Sequence, residues 1–478
     1  MSSTLLWFVA LYLGVSIAIG LVASTRVHSA RDYITAGRHL PIYVVFAAVF
    51  ATWFGAETVL GISATFVREG LGGLVSDPLG ASLCLILVGL FFARPLYRMN
   101  LLTIGDFYRR RYDRPVELIA SICIALSYLG WVSAQITALG LVFDVLSGGY
   151  ITREWGMVLG ATIVLVYTLF GGMWSVAVTT FVQMIVIVLG LLYIAWLVSD
   201  MTGGVAPVVR HAAAAGKLEL WPKFNPAELI GFVAALVTMG LGSIPQQDVF
   251  QRINASKSEN TAVFGTILGG VAYFMFAAVP LFLVYAATMI DPQLVNGLIE
   301  KDSQLILPTF IANHLPLAAQ VIFYGALLSV IMSTASGTLL APSVTIAENV
   351  LKGSRAMSDR QFLRMTRMVV IAFAVLVTLY SLWSDATIHK MVENAYKVTL
   401  VAAFVPLAAG LYWRRATTQG ALLACLGGLV TWIAMEIFAS DVMVPPQFAG
   451  LLASIGGMIA GSLLPQWYGR GTGAPLPR

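Results

Sequence analysis

Apolar residues run along this chain in blocks of span length, separated by short polar segments. A helix needs about 20 apolar residues to cross the hydrocarbon core of a bilayer. Thirteen blocks qualify, at approximately 4–24, 41–66, 78–98, 116–146, 155–170, 175–199, 227–249, 259–289, 315–350, 362–384, 390–413, 418–438 and 445–466. The pattern predicts an all-α integral membrane protein of about 13 transmembrane helices. Almost nothing is left for a soluble domain, and the longest polar stretches, 200–226 and 290–314, read as ordinary loops. Two blocks are interrupted. The second reads Phe50-Ala51-Thr52-Trp53-Phe54-Gly55-Ala56-Glu57-Thr58, and the seventh reads Thr238-Met239-Gly240-Leu241-Gly242-Ser243-Ile244-Pro245-Gln246-Gln247. Interrupted helices at corresponding places in two halves of a chain point to a transporter binding site. Unwound backbone at membrane depth must be satisfied by an ion, a substrate or water. Either break alone reads equally well as close helix packing through Gly and Pro.

Composition agrees with this class. The chain is 59% hydrophobic and 11% charged, whereas soluble domains carry about 25% charged residues. Its net charge of +5 does not indicate a nucleic-acid partner, because the basic residues sit in short loops and form no patch or tail. Twenty of the 28 Lys and Arg residues fall in alternate loops. That bias places the N-terminus outside and the C-terminus in the cytoplasm. Cys84, Cys123 and Cys425 lie inside apolar runs, which argues for buried thiols rather than disulfides or a metal site. The first apolar run starts almost at once with no basic residue before it, so it reads as a span and not as a cleavable signal. The five histidines lie in loops or at span ends, and no nucleophile–base or metal-ligand constellation recurs. An enzyme is therefore not expected.

Four motifs then point one way. Arg31-Asp32-Tyr33-Ile34-Thr35-Ala36-Gly37-Arg38 resembles a D-Y-x-x-x-G-R signature. The Tyr167–Val176 run resembles Y-T-x-x-G-G-x-x-x-V, the Pro245–Arg252 run resembles P-x-x-x-x-x-Q-R, and Met332-Ser333-Thr334 resembles a serine-rich stretch of a ninth span. All four belong to the sodium:solute symporter family, which the chain resembles over nearly its whole length, most closely in its choline and proline branches. The resemblance implies an inverted repeat of five plus five helices (the LeuT-type fold), with spans 2–6 set against spans 7–11. It divides the chain into a first helix and cytoplasmic loop (1–40), a transport core (41–413) and two flanking helices with a short tail (414–478). It also implies a sodium-coupled secondary symporter in the plasma or inner membrane, importing a small polar organic solute by alternating access.

Ser333 lies one helical turn from Val330, with Thr334 beside it. Two hydroxyls and a nearby carbonyl suit a hard monovalent cation and avoid the cost of burying a carboxylate. The same hydroxyls could instead bond their own helix or pack helices. By resemblance, the main sodium site of the family maps onto the carbonyls of Ala51, Phe54 and Val330 and the hydroxyls of Ser333 and Thr334. Some relatives hold a second sodium with an aspartate in a T-D-x-x-Q pattern. Here Thr180 stands in its place, and Gly337 replaces a hydroxyl residue, so one Na+ per cycle is expected.

The choline branch cages a quaternary ammonium among aromatic rings, where a Trp face contributes roughly 2 kcal/mol when desolvated. Trp53, two residues before Gly55, and Trp131 match two walls of that cage, while Ala81 and Gln246 stand where the branch has aromatics. Polar candidates take over: Asp77, Gln135, Thr58 and Gln246. An ionisable residue at membrane depth is by default a functional candidate, so Asp77 would favour a substrate carrying an ammonium, either an amino acid or a choline-like compound. Asp77 reads equally as a helix cap before Pro78, and either Trp as packing. Glu57 is expected to orient the broken helix, Glu393 to pair with Lys397 four residues on, and Glu348 to be solvated. The expected partners are a small-molecule substrate and the lipid bilayer, with no obligatory protein partner. The alternatives are a transporter-like sensor working with a separate signalling protein, since the short tail leaves no room for a kinase, and a proton-coupled symporter using Asp77 or Glu57.

Overall fold

The computed structural model describes residues 3–353, 355–439 and 442–468. Its principal helices are α1 (Leu5–Ser24), α2 (Ile42–Trp53), α3 (Glu57–Glu69), α4 (Leu71–Met99), α5 (Arg114–Ser147), α6 (Arg153–Met201) and α7 (Pro226–Gly242). They continue as α8 (Gln247–Ala255), α9 (Glu259–Ile290), α10 (Leu317–Lys352), α11 (Asp359–Trp383), α12 (Ile388–Tyr412), α13 (Thr418–Phe438) and α14 (Pro446–Leu463). Among the described residues there is no strand, only an isolated bridge between Leu40 and Ser256. Among the described residues, ten helices are each long and apolar enough to cross a membrane. Two bent pairs, α2/α3 at 49° and α7/α8 at 45°, raise the number to twelve if each counts as one span. The protein is an all-helical, multi-pass membrane protein.

Local chemistry starts and stops these helices. Asn225 accepts from Glu228 N–H and Pro226 opens α7, while Asp113 accepts from Arg114 N–H to open α5. The two stretches expected to be loops are partly helical: Val205–Ala214 lies in the first, and Pro292–Ile299 and Ile306–His314 lie in the second. All three helices, of 10, 8 and 9 residues, are too short to have registered as blocks. The 49-residue α6 would measure about 73 Å if straight, far more than a bilayer core of about 30 Å. It turns at Gly172, whose φ of 49° and ψ of −137° leave the helical region. A Cβ there would collide with the backbone oxygen of Tyr33, so only glycine fits this turn.

In lipid there is little hydrophobic drive between helices, and packing falls to small residues. Gly265 and Gly269 of α9 face Val45 and Val49 of α2; a Cβ on each would lie 2.8 and 2.6 Å from the valine Cγ1 atoms. Helices α5 and α10 have 67% of their most apolar window buried, against 22% for α13. The first two are therefore interior helices, and α13 lies on the lipid-facing rim. Cys84, Cys123 and Cys425 are free and buried.

Candidate functional site

Both helix breaks open into the interior. At the first, α2 ends at Trp53 and Phe54 leaves the helical region with φ −83° and ψ 75°. Ser333 Oγ donates to Ala51 O at 2.8 Å and stands 2.9 Å from Val330 O, and Thr334 Oγ1 lies 3.3 Å from Ala51 O. Four of the five residues expected around sodium thus meet where α10 crosses the end of α2. Phe54 follows at the break itself. All five are buried.

Beyond the break, Glu57 folds back over Gly55, where a Cβ would collide with its carboxylate. Trp131 Nε1–H donates to Glu57 Oε1 at 3.0 Å and Gln135 Nε2–H to Oε2 at 2.7 Å, while Gln135 Oε1 accepts from Ala56 N–H at 3.0 Å. Asp77 lies in an irregular turn at the start of α4 and accepts from Tyr273 O–H. Tyr273 is also 3.1 Å from Thr58 Oγ1. The Asp77 side chain caps no helix. Its second oxygen, Oδ2, has no hydrogen-bond partner among the described residues, and neither do Trp53 Nε1 and Tyr396 Oη. Three rings meet beside these groups. Trp53 lies edge-on to Trp131 at 5.7 Å and stacks on Tyr396 at 6.2 Å, and Trp131 meets Tyr396 at 5.6 Å. Gln246 stands apart from the carboxylates, with Nε2 3.0 Å from Ser127 Oγ and 3.4 Å from Thr399 Oγ1.

Charge is distributed unevenly at this depth. Arg252 is 1% exposed, donates to Ala48 O at 3.2 Å and to Thr52 Oγ1, and lies 3.6 Å from Asp248. Those two charges offset each other. Glu57 and Asp77, 1% and 2% exposed, have no basic partner among the described residues.

A family model described as "Sodium:solute symporter family" matches residues 33–428. The chain belongs to the sodium:solute symporter family. It is 27% identical to the high affinity choline transporter 1 of Homo sapiens over 83% of this chain and 69% of that one. It is 25% identical to the osmoregulated proline transporter of Bacillus subtilis (strain 168), over 96% and 94%. Among solved structures, a substrate-bound Na+-coupled sialic acid symporter aligns over 99% of this chain and 100% of its own, with a TM-score of 0.82 and 20% identity. The nucleobase-cation-symport-1 family transporter Mhp1 aligns over 89% and 94%, with a TM-score of 0.58 and 15% identity. These last two establish the fold. The family and these relatives are transporters, and this symporter-family chain is a transporter rather than an enzyme.

The transporter holds site groups that sequence reading missed. Tyr273 and Tyr396 sit in apolar runs, where an aromatic reads as span filler. Glu57, expected to orient the break, bonds two side chains of α5, and sequence spacing does not name these partners. The expected Glu393–Lys397 pair does not form. Lys397 lies 3.9 Å from Glu436 of α13, and Glu393 lines a cavity of about 360 Å³ with His389 and Arg68. Glu348 is only partly exposed and pairs with Lys352 at 2.8 Å.

Proposed function

We propose that this protein is a sodium-coupled symporter importing a small solute with a protonated amine at one end and a hydrogen-bonding oxygen at the other. The observation that carries the reading is the convergence of the Ser333 and Thr334 hydroxyls on the Ala51 carbonyl of the broken helix. With the Val330 and Phe54 carbonyls they make a neutral oxygen set, for which Na+ is the hard cation of choice. Thr180 supplies no negative charge for a second ion, so one Na+ moves per cycle.

The unpartnered groups outline the solute. A buried polar atom without a partner costs about 1–3 kcal/mol, and a ligand removes that cost by supplying the partner. Asp77 Oδ2 accepts an N–H of the ammonium, and the Trp53 and Trp131 faces flank the cation. Trp53 Nε1–H and Tyr396 Oη receive the oxygen end. Gly55, Thr58, Gln135 and Gln246 shape the surroundings. Choline and proline are the solutes in the names of the relatives; an N–H-bearing amine uses Asp77 Oδ2, and a quaternary one does not.

The same reading takes the Gly172 turn as the boundary between two spans, giving thirteen. It sets spans 2–6 against 7–11 within residues 41–413, flanked by 1–40 and 414–478, with the N-terminus outside and the C-terminus cytoplasmic. Proton coupling is the second reading, favoured by two buried carboxylates without a basic partner. A thermal-shift screen of the purified protein in Na+ and in K+, against amines, zwitterions and carboxylates, tests both. Sodium-dependent stabilisation by a primary or secondary amine is expected. Equal behaviour in the two salts would overturn the sodium reading.

A further inference from the structure

Where α4 and α10 end and α11 begins, a cavity of about 290 Å³ opens beside the loop that precedes α2. Arg31 Nη2 and Arg38 Nη1 both donate to one neutral acceptor, Asn100 Oδ1, the second at 2.5 Å. Two guanidinium groups are thus drawn onto one uncharged oxygen, and neither forms an ion pair among the described residues. Like charges this close repel, and an anion relieves the repulsion. Arg38 also stacks 3.8 Å over the Tyr97 ring and donates to Tyr97 O at 3.2 Å, so its fork is held rigidly.

The remaining charges are accounted for. Lys352 is paired with Glu348 at 2.8 Å, and Asp359 accepts Ala30 N–H at 3.0 Å. Arg31 and Arg38 against Asp359 leave one net positive charge, which a phosphodiester monoanion balances. Asn254, 1% exposed, lines the same cavity, and its Oδ1 has no hydrogen-bond partner among the described residues. It offers an acceptor to a hydroxyl carried by the same ligand. Leu101 and Leu102 give the cavity an apolar side.

The backbone supports a built site. Among the described residues, the non-glycine positions with left-handed φ are Ala36, Arg38 and Asn100, at 47°, 63° and 51°. All three lie in or beside this cavity. Left-handed φ in residues with a side chain is costly and clusters at ligand clamps. The cavity also sits at the ends of three membrane helices, the depth at which lipid phosphates lie.

We infer that this cavity binds the phosphate of an anionic, hydroxyl-bearing headgroup, with Arg31 and Arg38 as the phosphate clamp. The full-length protein in detergent is titrated with phosphatidylglycerol, phosphatidylcholine or inorganic phosphate, with the unfolding midpoint as readout. Phosphatidylglycerol is expected to raise the midpoint and phosphatidylcholine to do so much less. The Arg31→Gln/Arg38→Gln double variant should need about tenfold more phosphatidylglycerol for half the effect. Asp359→Asn removes the opposing charge and keeps an acceptor for Ala30 N–H, so it should need less lipid than the wild type, a gain that misfolding cannot mimic. If inorganic phosphate alone reproduces the shift and competes with the lipid, the phosphate clamp stands and its ligand is soluble. An unchanged lipid response in the double variant, or an unchanged or weaker one in Asp359→Asn, would overturn the proposal.

Discussion

The two broken helices bend by nearly the same angle, 49° and 45°, yet their surroundings differ. At the first break the polar groups face one another across an unfinished network: Glu57 is held by Trp131 and Gln135, while Asp77 Oδ2 and Trp53 Nε1 have no partner among the described residues. At the second, neighbouring helices grip the turn, although Ser243 Oγ and Gln247 Nε2 there also have no hydrogen-bond partner among the described residues. Thr399 Oγ1 donates to Gly242 O at 2.6 Å, Ser127 and Thr399 flank the Gln246 amide, and Gln247 Oε1 accepts Ile104 N–H at 2.8 Å. The difference is one of charge and grip: two carboxylates without a basic partner among the described residues stand at the first break, and hydrogen bonds from neighbouring elements hold the second.

The largest effect should fall on Asp77. Asp77→Asn is expected to weaken binding of the amine found by the screen by about 2–3 kcal/mol, ~30–150-fold in Kd. Gln246→Ala at the other break should change it less than about tenfold, and comparable losses at the two sites would erase the distinction. Next, Ser333→Ala or Thr334→Ala should raise the half-saturating Na+ concentration about tenfold at unchanged Tm, measured by sodium titration of ligand binding.

The glycines at the breaks give a finer contrast. A Cβ at Gly55 meets the far end of the flexible Glu57 side chain, so Gly55→Ala should alter ligand affinity and leave Tm nearly untouched. A Cβ at Gly242 would lie 2.6 Å from the backbone oxygen of Tyr396. Gly242→Ala should therefore cost about 1–3 kcal/mol of stability, read as a lowered Tm.

The smallest effect lies outside both breaks. The Leu294 N–H, and after it His314, hold the Asp291 carboxyl below its ordinary value of 3.8. A depressed carboxyl adds stability above its unfolded pKa and loses it as pH falls through the lower folded one. Asp291→Asn should thus narrow the Tm difference between pH 6 and about pH 3 slightly, and an unchanged difference would discount the pair.

What the sequence made legible was local. Gly55 and Pro245 advertised the breaks, because they interrupt apolar runs with polar neighbours. Asp77 stood out as a charge at membrane depth. What stayed hidden depended on residues far apart in the chain. Glu57 finds its donors on α5, Tyr273 reaches Asp77 across nearly two hundred positions, and Lys397 turns to Glu436 instead of the Glu393 one helical turn away. Helical spacing says which side chains share a face, not which face a neighbour covers. The gap between the apolar blocks at 155–170 and 175–199 coincides with the Gly172 turn, although the backbone there continues as one α6.

The seam between Gly265 and Gly269 of α9 and Val45 and Val49 of α2 constrains how this machine can move. No methyl group fits between either glycine and the valine side chain it faces, so α2 is expected to tilt together with α9 rather than slide along it. Tyr273 rides on α9 one turn past Gly269, so its hydroxyl swings with that pair whenever the pair tilts. The contact that touches Asp77 is therefore expected to follow a rocking motion of this pair rather than a sliding one.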